Sequence, residues 1–87
     1  MNRNLDVAII DYKMSNLHSV KSACEYVGLK SEITSNYDVI MHSKSAILPG
    51  VGAFKVAMEH LADLNLNNTI YEFINTKKPF IGICLGM

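Results

Sequence analysis

Eighty-seven residues, 49% of them hydrophobic and 18% charged with a formal net charge of zero, place this chain among ordinary soluble globular proteins with room for one modest core. The balanced charge supplies no basic excess for nucleic acid or an anionic membrane surface, and Met1-Asn2-Arg3-Asn4, followed by a short apolar run broken at Asp6 and Asp11, provides neither a signal peptide nor a membrane span. Two widely spaced cysteines, Cys24 and Cys84, without histidines at ligand spacing, make neither a disulfide framework nor a zinc site, so no metal is expected and a reducing, cytoplasmic location fits.

In chain order, Val7-Ala8-Ile9-Ile10 is a continuous apolar run rich in β-branched residues, which predicts a strand covered on both faces. The polar turn Asp11 to Asn16 follows, with Ser15 or Asn16 placed to cap a helix. Leu17, Val20, Ala23, Cys24 and Val27 recur at helical spacing, and Gly28 stands where a left-handed stop is expected. Cys24 falls on that apolar stripe and reads as core. Lys30 to Thr34 predicts a short second strand, and Ser35, Asn36 and Asp38 are turn-formers before a helical turn at Val39-Ile40-Met41. Ala46-Ile47-Leu48 predicts a third strand closed by Pro49, and Gly50-Val51-Gly52 a loop.

Beyond the loop, Phe54, Ala57, Met58, Leu61 and Ala62 repeat at helical spacing. Asn67 or Asn68 is placed to cap a further short helix carrying Ile70, Phe73 and Ile74, and Lys77-Lys78-Pro79 leads into a last strand. Strands alternating with helices predict an α/β fold, a parallel, doubly wound sheet with no repeat or linker to divide it. In such a sheet ligands bind outside the carboxyl ends of the strands, where the strand order reverses. The turns at Asp11 to Asn16, Pro49 to Ala53 and Cys84 fall at that edge.

Chemistry concentrates in two of these turns. Gly82-Ile83-Cys84-Leu85-Gly86 has the spacing of a nucleophile elbow, in which a reactive side chain sits on a sharp strand-to-helix turn that flanking glycines permit. A thiol at a helix amino terminus is acidified, and the thiolate is the nucleophile. A cysteine beside Ile83 and Leu85 is equally the mark of a buried, inert thiol. Pro49-Gly50-Val51-Gly52 allows a peptide group to take either of two orientations and so to aim backbone N–H groups at an anion; alone it is also an ordinary tight turn. Beside Cys84, one N–H from this loop and that of Leu85 would form an oxyanion hole for acyl transfer. It is not a phosphate loop, for the Lys-Ser/Thr pair is missing. None of His18, His42 and His60 is assigned as a base.

Three stretches together, Ile9-Ile10-Asp11-Tyr12 with Met14 and Asn16-Leu17, Ile47-Leu48-Pro49-Gly50-Val51-Gly52-Ala53-Phe54 with Ala57-Met58, and Lys78-Pro79-Phe80-Ile81-Gly82-Ile83-Cys84-Leu85-Gly86-Met87, resemble the class I glutamine amidotransferases, most closely the glutaminase subunits that serve imidazole glycerol phosphate synthesis. The resemblance spans nearly the whole chain and implies the amino-terminal part of one amidotransferase domain over residues 1–87, with no second domain, ending just after the elbow. It implies that Cys84 attacks the carboxamide of glutamine, that Val51, Gly52 and Leu85 form the oxyanion hole, and that Gly50 and Gly52 lie against the substrate. No cofactor is implied. The family's His and Glu fall beyond Met87, so residues 1–87 by themselves are expected to be inactive. The implied partner is a (β/α)8 cyclase subunit that receives the ammonia in a heterodimer, for histidine biosynthesis, with Tyr12, Lys13 and Asn16 on the partner-facing loop. The family's first loop usually reads Asp-Tyr-Gly-Met-Gly-Asn, and here Lys13 and Ser15 replace both glycines. A paralogue feeding ammonia to a different synthase, as in surface-sugar biosynthesis, is therefore one alternative; a non-catalytic docking fragment is another.

Overall fold

Val7, Ala8, Ile9 and Ile10 are all buried, because the strand they form, β1 (Val7–Ile10), is flanked by strands on both edges and covered on both faces. The computed structural model describes residues 5–12, 17–49, 59, 62 and 65–83. Among them, β1 is followed by α1 (Leu17–Tyr26), β2 (Ser31–Thr34), α2 (Tyr37–His42), β3 (Ala46–Pro49), α3 (Leu66–Asn75) and β4 (Phe80–Ile83). The four strands form one parallel sheet in the order β2-β1-β3-β4. The α/β class and parallel sheet expected from the alternation of apolar runs are both present. Glu59 and Ala62 are helical; the other residues of the predicted 54–62 helix lie outside the described residues.

Side chains alternate across a strand, and the alternation divides the core into two layers. Ala8 and Ile10 of β1 join Tyr12, Ala46, Ile40 of α2 and Leu66 and Phe73 of α3 on one face. Val7 and Ile9 join Ile47 with Leu17 and Cys24 of α1 on the other. Helices thus cover both faces, the doubly wound arrangement.

Element ends are set by specific groups. Gly28 (φ +89°) ends α1: its N–H donates to the Glu25 carbonyl (3.0 Å) and that of Leu29 to the Cys24 carbonyl (2.9 Å), the paired bonds of a left-handed helix stop. α2 is longer than the turn expected at 39–41. The Asn36 side chain accepts from the Val39 N–H at its start, and the Ser43 N–H and hydroxyl both donate to the Ile40 carbonyl at its end. The start of α3 corrects the sequence-based reading, for its cap is Asn65, in the left-handed region (φ 58°) with no side-chain cap bond, rather than Asn67 or Asn68. Burial of Leu66, 1% exposed, draws the first turn back to that residue. Two residues of the expected stripe, Ala23 in α1 and Val27 just past its end, are exposed, since the helix meets the sheet mainly through Leu17 and Cys24.

β4 is anchored before it begins. The Lys78 ammonium donates to the carbonyls of Met41 (2.7 Å) and Ser43 (2.9 Å) at the end of α2 and lies 5.5 Å from the centre of the Phe73 ring. Phe73 also meets Phe80 with ring centroids 6.3 Å apart. These contacts bring the last strand alongside β3 in a fixed register: Ala46 to Phe80, Ile47 to Ile81, Leu48 to Gly82 and Pro49 to Ile83.

Candidate active site

The chain leaves β1 to one side for β2 and crosses to the other side for β3, so the strand order reverses between the carboxyl ends of β1 and β3. Among the described residues, one side chain spans that crevice. Tyr12, two residues past β1, is fully buried and its hydroxyl donates to the carbonyl of Pro49, the last residue of β3. On the other flank of β3, Pro49 is paired with Ile83. Neighbouring parallel strands run about 4.8 Å apart, so β3 and β4 end level with one another, on the residues that immediately precede Gly50 and Cys84 in the chain. The exit of β1 is held as well, since the Asp11 N–H donates to the Thr34 carbonyl (3.0 Å) and extends the β1–β2 ladder by one residue.

Of the residues singled out from the sequence, Lys13, Asn16, Gly50, Val51, Gly52, Cys84 and Leu85 lie outside the described residues, as do Ser15 and His60. Tyr12 lies within them. Its ring is buried in the sheet face shared by Ala8, Ile10 and Ala46. The signal was present in the sequence as parity, for Ala8, Ile10 and Tyr12 are alternate residues and continue one inward row.

Cys24 is 6% exposed and free, and burial pushes its thiol up against the weaker opposing pull of Lys21. That environment disfavours the thiolate, as the core reading expects. The thiol lines an apolar groove of about 470 Å³ with Val20, Ala23, Val27, Leu29 and Ile47. His18 is exposed; His42, also exposed, ends α2, with Nδ1 2.7 Å from the Asp38 carbonyl. Among the described residues no three His, Cys, Asp or Glu side chains gather as metal ligands, and no helix is long and apolar enough to cross a membrane.

A parallel sheet covered on both faces, with a bridged switch-point crevice beside two strands that end in register, defines a doubly wound α/β domain with its candidate site at the strand carboxyl edge. The family Glutamine amidotransferase class-I matches residues 8–87, and the chain belongs to that family. Among its relatives are the imidazole glycerol phosphate synthase subunits HisH of Bacillus cereus (strain G9842), 47% identical, of Bacillus thuringiensis (strain Al Hakam), 46% identical, and of Listeria innocua serovar 6a, 42% identical. Each match extends over 81 residues, which is 93% of this chain. The chain spans 39% of the length of each of these relatives.

Proposed function

We propose that this chain carries the nucleophile and oxyanion loop of a cytoplasmic glutaminase that releases ammonia for a (β/α)8 cyclase partner in imidazole glycerol phosphate synthesis, within histidine biosynthesis. The observation that carries this reading is the register of Pro49 with Ile83. Two stretches far apart in sequence, Gly50-Val51-Gly52 and Cys84-Leu85, each continue from one member of that pair. An acyl-transfer site needs a nucleophile and oxyanion donors a few ångströms apart, and strands that end side by side support that reading.

In the proposed reaction the Cys84 thiolate attacks the carboxamide carbon of glutamine, and the carbonyl oxygen becomes an oxyanion held by N–H groups of the Val51-Gly52 stretch and of Leu85. The C–N bond breaks, the nitrogen takes a proton and leaves as ammonia, and a glutamyl thioester remains. Water then attacks the thioester carbon, releasing glutamate and returning the thiol. The base that shuttles these protons, a His oriented by a Glu, is proposed to lie in the part of the relatives that this chain does not span, so residues 1–87 alone are proposed to be inactive.

The test is glutamate formation by the intact gene product, with and without the cyclase subunit. Cys84→Ala is expected to lower it by roughly 10³-fold or more, while cyclase turnover with added ammonium salt persists. Unchanged glutaminase activity in Cys84→Ala contradicts the reading. Lys13 and Ser15, in place of the family's two glycines, favour a second reading in which a different synthase receives the ammonia. Binding to such a synthase, with none to the cyclase, would decide for it.

A further inference from the structure

We propose that Lys78 is a positioning residue that selects the register of β4 on β3 and, through that register, the place of the nucleophile; the second part rests on the glutaminase reading above. The strand specifies its own register weakly. Among the described residues β4 pairs with β3 alone, and Phe80-Ile81-Gly82-Ile83 is apolar throughout. Side chains alternate between faces with a period of two, so a displacement by two residues keeps every position on its own face of the sheet. Displaced in this way, Gly82 would stand where Phe80 pairs with Ala46, and Ile83 where Ile81 pairs with Ile47. One position loses a ring and the other exchanges isoleucine for isoleucine. Displacement in the opposite direction brings Pro79 into the place of Ile81, without an N–H to donate to the ladder.

The Lys78 ammonium separates the two remaining frames. It donates to the carbonyls of Met41 (2.7 Å) and Ser43 (2.9 Å) and lies 5.5 Å from the centre of the Phe73 ring. Ser43 precedes β3 by three residues and Lys78 precedes β4 by two, so these bonds tie the entry of one strand to the entry of the other. A charged donor strengthens both bonds, and carbonyls at a helix carboxyl end favour a cation. The turn that carries Lys78 is itself built: Lys77 is in the left-handed region (φ 70°), and the Thr76 hydroxyl donates to the Phe73 carbonyl (2.6 Å) while accepting the Lys78 N–H (3.3 Å). A displacement by two residues moves Lys78 about 6.6 Å along β3 and away from this arrangement. Phe80, half-buried and in contact with Phe73, opposes the same displacement. Pro49 and Ile83 stand level only in the observed frame. Cys84 follows Ile83 in the chain, so the displaced frame carries the nucleophile about 6.6 Å relative to the end of β3, far more than a reacting geometry tolerates.

Lys78→Met in the intact gene product tests this, since it keeps an unbranched side chain and removes the charge and the donors. Register is read by disulfide trapping in a Cys24→Ser background, because Cys24 lines the same groove as Ile47. Ile47→Cys with Ile81→Cys reports the observed frame, and Ile47→Cys with Ile83→Cys the displaced one. Paired Cα atoms on neighbouring strands lie about 4.8 Å apart and those two residues out of step about 8 Å, while a disulfide does not span more than about 7 Å. With Lys78 in place only the first pair is expected to close. In Lys78→Met the second pair should close in most molecules, and kcat/KM for glutamine should fall about tenfold, in proportion to the loss of the observed frame. A cross-linking pattern unchanged from the parent overturns the proposal, whatever the activity. A shifted pattern with kcat/KM within about twofold of the parent overturns the part concerning the nucleophile. Should Lys78→Met not fold, Lys78→Gln, shorter and neutral, is read by the same two measurements and the same criteria. If the parent protein does not hydrolyse glutamine, the glutaminase reading falls, and the cross-links alone decide the role of Lys78 in the register.

Discussion

Asp6 connects the amino ends of three strands through one residue. Its carboxylate accepts the Lys30 N–H just before β2 (2.9 Å) and lies 3.5 Å from the Lys44 ammonium before β3, while its own carbonyl accepts the Ser45 hydroxyl (2.6 Å). The bond from the Lys30 backbone, with the charge of Lys44 assisting and partial burial opposing, holds this carboxyl below its usual range. A carboxyl depressed by folding adds stability at pH values above its unfolded pKa and loses it as pH falls through the folded one. Asp6→Asn should therefore flatten the acid limb of a melting-temperature profile below about pH 4, leaving the profile near neutrality with a constant offset. Equal acid slopes in the two proteins would show that the Asp6 charge contributes nothing. Two buried side chains act differently: Cys24, with its thiol pushed up by burial, is core, and Tyr12 is held at the crevice by a hydrogen bond.

At the scale of elements, helix ends decide how each strand enters the sheet. Gly28 is the clearest case, since its φ of +89° lies where an L side chain is strained and a Cβ built there meets nothing within 4 Å. The cost of Gly28→Ala is thus expected to come from the backbone alone, about 1–2 kcal/mol, seen as a lower urea midpoint with an unchanged m-value. A midpoint equal to the parent's would contradict the role of this stop. Gly28 was legible in the sequence because a glycine directly after an apolar helical stripe stands where the chain must turn left-handed to leave the helix. The start of α3 was not, because Asn67 and Asn68 carry the usual capping chemistry while Asn65, which holds the position, makes no side-chain cap. Their side chains are engaged elsewhere: the Asn67 oxygen accepts from the Asn68 N–H, and the Asn68 amide donates to the Asn65 side chain. The full length of α2 was hidden for a different reason. It buries only Ile40, so its six residues show no stripe, and it holds through its end caps and the Lys78 bonds to Met41 and Ser43.

For the molecule as a whole, strand order matters more than any single element. The apolar runs at 7–10, 46–48 and 80–83 announced the strands, and alternation with helices announced a parallel sheet. What the runs could not announce was adjacency: that β3 stands between β1 and β4, that it ends level with β4, and that Tyr12 spans the crevice beside it. Those are tertiary facts, set by packing of α1 on one face and of α2 and α3 on the other. They make the carboxyl edge of β3 and β4 the place to look for the chemistry that the family membership suggests. The most direct test is to treat the intact gene product with an electrophilic glutamine analogue, a diazo ketone that alkylates an activated thiolate, and to map the adduct by mass spectrometry. One adduct is expected, on Cys84, suppressed by added glutamine, with buried Cys24 unmodified. No adduct on Cys84, or labelling that glutamine does not suppress, would contradict the assignment of Cys84 as the glutaminase nucleophile.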